Sequence, residues 1–200
     1  MSHFEHVLVP GTAPLTLVLL HGTGGDENSM LEIGNAVASG ATLISPRGKV
    51  NEGGANRWFR RFGEGVFDEA DIRAQASDLA QFLVEVAPAN SPMIALGYSN
   101  GANIGAALLT LHPDTFSGLV MWRGMRIFGS DASADLSGKK VLMLNGTNDP
   151  FAPLESAREQ AERFRASGAD VELEISGPSH GLSSIDFELT RTWLKKALPY

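Results

Sequence analysis

Ile94-Ala95-Leu96-Gly97-Tyr98-Ser99-Asn100-Gly101-Ala102-Asn103 decides how the rest of the chain must be arranged. An apolar run of strand length leads into Gly97-Tyr98-Ser99-Asn100-Gly101, and a helical pattern of small residues follows, so Ser99 falls at the tip of a strand-to-helix turn. Such a turn is tight enough to strain the serine backbone. Glycine two residues to either side lets strand and helix approach without side-chain collision. The N–H of Asn100 then stands at a helix N-terminus, facing whatever the serine hydroxyl attacks. The same five residues could form an ordinary Gly/Ser turn; the strand before them and the helix after them favour the nucleophile.

Working outward, residues 15–20 form a continuous apolar run of strand length, as expected of a strand covered by helices on both faces, and they end in His21-Gly22-Thr23-Gly24-Gly25. Residues 4–9 read as an edge strand closed by Pro10-Gly11. Asp26 is placed to cap a helix through about Ala38, with Met30, Ile33, Ala36 and Val37 as its apolar stripe, and 41–45 is the next strand. Residues 47–69 show no period and read as a long loop, functional or mobile, holding Trp58, Phe59, Phe62 and Phe67. An amphipathic helix is expected over 70–87, with Ile72, Ala76, Leu79, Phe82, Leu83 and Val86 at steps of three and four. Strands are expected at 92–96, 116–121, 141–144 and 171–175, and helices at 101–111, 153–166 and 182–197. This alternation requires a mainly parallel sheet with helices on both faces. No internal repeat or linker is visible, so residues 1–200 read as one α/β domain.

Composition narrows the function. A chain of 200 residues can bury about 70 % of its unfolded surface and needs no staple. The absence of cysteine excludes disulfides, thiol nucleophiles and thiolate metal sites. A net charge of −7 with scattered Lys and Arg argues against nucleic acid and anionic membranes as partners. The apolar runs are too short to span a bilayer, and Met1-Ser2-His3-Phe4-Glu5-His6 lacks the pattern of a secretion signal, which leads to the expectation of a soluble cytoplasmic protein. The five histidines form no H-x-H or H-x-x-x-H pair, so no metal is expected. Neither G-x-G-x-x-G nor the lysine-bearing phosphate motif occurs, and no other cofactor is expected.

A serine hydroxyl needs a base to take its proton and a carboxylate to hold that base in the right tautomer. Where the nucleophile sits on an elbow of this kind, the chain order is Ser, acid, His. His180 lies after the final strand in Ser179-His180-Gly181, at the same sheet edge as Ser99, whereas His112 belongs to the end of the helix that starts beside the serine. Asp149 is the acid candidate, in Asn145-Gly146-Thr147-Asn148-Asp149-Pro150 at the end of the strand over 141–144. Asp131 and Asp135 precede that strand and belong to its opposite end, and Glu155 falls in the next helix. The N–H groups of Thr23 and Asn100 are the candidate donors to a tetrahedral oxyanion. His21, directly after a buried strand, reads as support for the glycine turn. The segments after the strands over 41–45 and 116–121 emerge on this edge, which makes Trp58, Phe59, Phe62, Trp122, Arg123 and Met125 candidate pocket walls.

The motifs Leu20-His21-Gly22-Thr23-Gly24-Gly25-Asp26-Glu27, Gly97-Tyr98-Ser99-Asn100-Gly101-Ala102-Asn103, Gly146-Thr147-Asn148-Asp149-Pro150-Phe151-Ala152-Pro153 and Ser179-His180-Gly181 resemble, in that order, the small carboxylesterase/phospholipase branch of the α/β hydrolases. Arg47-Gly48-Lys49-Val50, Arg57-Trp58-Phe59-Arg60-Arg61-Phe62 and Gly65-Val66-Phe67-Asp68-Glu69 are similar to a bacterial group described as hydroquinone-specific hydrolases. The resemblance implies an α/β-hydrolase fold and a triad of Ser99, Asp149 and His180. One departure stands out: familiar members of the branch carry Gln-Gly after the serine, where this chain has Asn100-Gly101.

The expected activity is hydrolysis of carboxylic esters of small acyl or aromatic substrates through an acyl-enzyme on Ser99. A thioesterase or lactone hydrolase would use the same residues, and a hydrolase-fold binding protein or sensor without turnover is the competitor from another class. The dienelactone hydrolases fit poorly, since their nucleophile is usually cysteine. Only about twenty residues separate the strands over 116–121 and 141–144, which leaves no room for a cap domain. The expected partner is a small-molecule ester; a homodimer is left open.

Overall fold

Aliphatic side chains alternate between two covered faces of one sheet. The computed structural model describes residues 3–89, 91–129 and 134–197. Its elements are β1 (His6–Val9), β2 (Thr16–Leu20), α1 (Leu31–Val37), β3 (Thr42–Pro46), β4 (Val50–Glu52), β5 (Ala55–Arg57), β6 (Arg61–Gly63), β7 (Val66–Phe67), α2 (Glu69–Val86), β8 (Met93–Tyr98), α3 (Asn100–Leu111), β9 (Gly118–Trp122), β10 (Lys140–Gly146), α4 (Leu154–Ala166), β11 (Asp170–Gly177) and α5 (Ser184–Ala197). Seven strands form the main sheet in the order β1-β3-β2-β8-β9-β10-β11. All neighbours run parallel except the edge pair of β1 and β3.

Along β2, Val18 and Leu20 pack with α2 and α3 side chains such as Leu79, Leu83 and Leu108, while Leu17 and Leu19 pack with Met30, Trp193 and Leu194 on the other face. The same period of two recurs in β9, where Leu119 and Met121 face one core and Val120 and Trp122 the other. Every residue of β2 is therefore buried, and its sequence is an unbroken apolar run rather than an alternating one. The result is an α/β-hydrolase sheet, and no lid element is present among the described residues between β9 and β10. Asp131 lies outside the described residues. No described helix is long and apolar enough to cross a membrane.

Two expectations need correction. The first helix starts not at Asp26 but after Met30, because Asp26 spends its carboxylate on a preceding turn: Oδ1 accepts from the Asn28 N–H and the Ser29 hydroxyl, each at 2.9 Å. Ala36 is exposed rather than part of an apolar stripe. The stretch over 47–69 is not aperiodic loop but two small antiparallel pairs, β4 with β5 and β6 with β7. Strands of two or three residues are too short to display a period, so the hairpins were hidden.

Candidate active site

β8 leads into α3 through Ser99, which adopts φ 54° and ψ −114°. A non-glycine residue in this region costs on the order of 1–3 kcal/mol and persists only where its surroundings over-determine it. They do here. The Ser99 N–H donates to the Trp122 carbonyl at 2.8 Å, and a Cβ on Gly101 would lie 1.9 Å from the Leu20 carbonyl oxygen, so only glycine lets α3 cross the end of β2.

Ser99 is met by a loop from the far side of the sheet. His180 Nε2 lies 3.0 Å from Ser99 Oγ, and His180 Nδ1 lies 2.7 Å from Asp149 Oδ2. The Asp149 carboxylate is fully buried, and its other oxygen accepts from the backbone N–H groups of Phe151 and Ala152 at 2.9 and 3.1 Å. A buried carboxylate held by two backbone donors presents its remaining oxygen in one direction. It can only accept, which places a proton on His180 Nδ1 and leaves Nε2 to accept from the serine hydroxyl. The imidazole is flanked by Tyr98 and Phe151, with ring centroids at 5.3 and 5.2 Å, and the Tyr98 hydroxyl donates to the His180 carbonyl at 3.1 Å. Burial pushes the Tyr98 phenol up, away from ionisation.

The turn after β2 brings Thr23 beside the serine, and both line one cleft. Among the described residues no acceptor takes the Thr23 N–H, and the Asn100 N–H, as the first of a helix, has no intrahelical partner. The side chain of Asn100 faces inward, where Oδ1 accepts from the Trp58 N–H at 2.8 Å. His21 is buried beneath the turn, with Nδ1 donating to the Gly22 carbonyl at 2.7 Å and Nε2 accepting from the Gly48 N–H at 2.9 Å. Desolvation holds its pKa below the ordinary 6.5, against the opposing pull of the Gly22 carbonyl. The unfolded chain therefore takes up this proton more readily than the folded one, so stability should be full above about pH 6.5 and decline as pH falls below it. Urea midpoints at pH 7 and pH 5 should fall further for the wild type than for His21→Gln, which keeps an acceptor but cannot titrate; equal declines would contradict the role given to His21.

The cleft has a volume of about 250 Å³ and is lined around Ser99 by Thr23, Arg57, Arg61, Phe67, Asn103, Met125 and Phe151. Of the six expected walls, Met125 alone lines it. Trp58 is buried, with its indole N–H on the His21 carbonyl at 2.8 Å and its ring against His21. Phe59 packs edge-on against Phe67, and Phe62 points to solvent at 77 % exposure. Trp122 turns to the opposite face of the sheet, where it packs on Phe187 and donates to the Thr190 hydroxyl.

Arg123 is also not a wall. It is buried at φ 58°, and its guanidinium makes a bidentate pair with Asp186 at 2.8 and 3.0 Å. It also donates to the Ser179 carbonyl at 3.0 Å and the Gly181 carbonyl at 2.8 Å, clamping the loop on both sides of His180. Burial alone would raise the Asp186 pKa, but hydrogen bonds from Arg123, Ser176 and the Ser183 N–H outweigh it and hold the carboxyl below 3.8. Arg123→Met would strand a buried carboxylate and should cost about 3–5 kcal/mol. Chemical denaturation reads this directly, with Arg123→Met/Asp186→Leu regaining part of the loss; an unchanged midpoint in the single variant would contradict the clamp. Nothing in the sequence marked this arginine as an anchor, since its partner lies 63 residues away. Among the described residues no group of three His, Asp or Glu side chains could hold a metal ion.

The model of the phospholipase/carboxylesterase family matches residues 8–198. The chain belongs to that family. It is 35 % identical over 198 residues to the Bacillus subtilis protein MhqD, whose name describes it as a hydrolase, covering 97 % of this chain and 99 % of the relative. A Bacillus cereus carboxylesterase structure superposes with a TM-score of 0.93 at 36 % identity, covering 98 % of this chain and 95 % of that one. A carboxylesterase from Mesorhizobium loti gives 0.86 at 28 % identity, with coverages of 92 % and 90 %. The chain is thus a carboxylesterase-family hydrolase with an α/β-hydrolase fold.

Proposed function

We propose that the protein hydrolyses esters of short acyl or small aromatic acids through an acyl-enzyme on Ser99. The observation that carries this reading is the unbroken line from Ser99 Oγ through His180 to Asp149, built on a serine held at φ 54°.

Each member has one task. Ser99 Oγ attacks the ester carbonyl as its proton passes to His180 Nε2, and the resulting imidazolium is stabilised by the Asp149 carboxylate. The oxyanion is received by the Thr23 and Asn100 N–H groups. His180 then protonates the departing alcohol oxygen, the C–O bond breaks, and the acyl group remains on Ser99. Water enters, gives a proton to His180, attacks the acyl carbon and releases the acid, and the proton returns to Ser99. Because the cleft is small and β9–β10 shows no lid element among the described residues, long acyl chains gain little burial.

The test is a panel of p-nitrophenyl acetate, butyrate and palmitate beside a matched thioester and lactone. The two short esters should give the highest kcat/KM, with no activation at a lipid interface. Palmitate as the best substrate would refute the acyl preference, and turnover confined to the thioester or lactone would move the activity to that class. A burst without turnover would make the chain a binding protein.

A further inference from the structure

A cation lies in the cleft that hydrolysis of a neutral ester leaves unused. Arg57, at the end of β5, is 4 % exposed and lines the cleft with Ser99 and Asn103. Its Nε donates to the Phe59 carbonyl at 3.3 Å and its Nη1 to the Thr23 hydroxyl at 2.9 Å. The carboxylate nearest to it, Glu52 Oε2, is 3.4 Å away. Glu52 is committed elsewhere, for both its oxygens accept from Arg61 Nε, at 3.0 and 3.2 Å. Arg57 Nη2 has no acceptor among the described residues. Buried charges are ordinarily paired as well as hydrogen-bonded, and the carboxylate paired with this one is shared with Arg61. Burial, with Arg61 adding to it, pushes the Arg57 pKa down against the opposing pull of Glu52 and Glu64.

Asn103 adds to the imbalance. It is 5 % exposed, its Oδ1 accepts from the Met125 N–H at 3.0 Å, and its NH2 group has no acceptor among the described residues. The lining carboxylate on this side, Glu64, is exposed and tied to Arg61. Beside the serine the cleft therefore offers donors that lack acceptors.

Resting on the hydrolase reading above, we infer that the preferred substrate carries a second carboxylate, bound by Arg57 while the scissile carbonyl points to the Thr23 and Asn100 N–H groups. Arg57 donates to the side-chain hydroxyl of Thr23, the residue whose N–H receives the oxyanion, which sets its guanidinium beside that position. The carboxylate it takes is that of a short acyl group, as in a half-ester of a short dicarboxylic acid. The reaction is ordinary hydrolysis: the acyl C–O bond breaks, water supplies the new oxygen, and the products are the dicarboxylic acid and the alcohol.

The test compares ethyl hydrogen succinate with ethyl butyrate, which differ by a terminal carboxylate in place of a methyl group, and adds the butyrate ester of glycolic acid to move the charge to the alcohol side. Ethyl hydrogen succinate should exceed both other esters in kcat/KM by about tenfold or more, as one charge-assisted hydrogen-bonded pair allows. The ratio should collapse toward one in Arg57→Met and survive in part in Arg57→Lys, which keeps the cation. No preference in the wild type, or a ratio indifferent to Arg57→Met, overturns the proposal while leaving ester hydrolysis intact. Should none of the esters turn over, the hydrolase reading fails instead, and calorimetric binding of succinate to Ser99→Ala protein, with and without Arg57→Met, decides the anion site alone: binding abolished by Arg57→Met supports it, and no binding, or binding unchanged by the substitution, overturns it.

Discussion

Replacing Ser99 by alanine is expected to lower kcat by about 10⁴- to 10⁶-fold with the fold retained. The size follows from geometry. Ser99 Oγ is the hydroxyl that lies 3.0 Å from His180 Nε2, whereas the Thr23 hydroxyl, which lines the same cleft, is held by Arg57 Nη1 at 2.9 Å. Alanine also keeps a side chain of similar size at a position already forced to φ 54° by the strand–helix crossing. Stopped assays with p-nitrophenyl butyrate measure the loss, and circular dichroism verifies folding. A loss below about 100-fold would mean that another nucleophile carries the reaction.

Asp149→Asn should cost on the order of 10⁴ in kcat with little change in stability. The amide oxygen can still accept from the Phe151 and Ala152 N–H groups. Its NH2 then faces His180 Nδ1, which must accept rather than donate, so the ring proton moves to Nε2 and points at Ser99. The base is present but in the wrong tautomer. Asp135→Asn is the matched control, because Asp135 is exposed and bonds to the nearby Ser137 before β10. Equal losses at the two positions would show that the acid lies at the other end of the strand.

The reach of sequence reading is clear at particular residues. Gly97 and Gly101 announce a close crossing because a Cβ at either would strike backbone, and that steric demand is local enough to be visible in five consecutive letters. The parallel sheet was legible from unbroken apolar strands such as β2, and the cleft-side positions of Asp149 and His180 from their places just after strands. What was hidden depends on side-chain direction. Trp58 and Trp122 sit where pocket walls were expected, yet each points into a different core and satisfies its indole N–H there. Arg57 and Asn103, which do reach the cleft, carry no local signal, since being short of an acceptor is a property of the assembled fold. The early end of the Asp26 turn was missed for a related reason: an N-cap aspartate and a turn aspartate make the same first hydrogen bond.

The central claim, that Ser99 is the nucleophile driven by His180 and Asp149, is tested most directly by mapping the covalent adduct of a fluorophosphonate. Peptide mass spectrometry should find the phosphonyl group on Ser99 alone, with labelling abolished in Ser99→Ala and slowed by orders of magnitude in His180→Ala. An adduct on Ser45 or Ser179, or labelling of Ser99 at the same rate without His180, would contradict it.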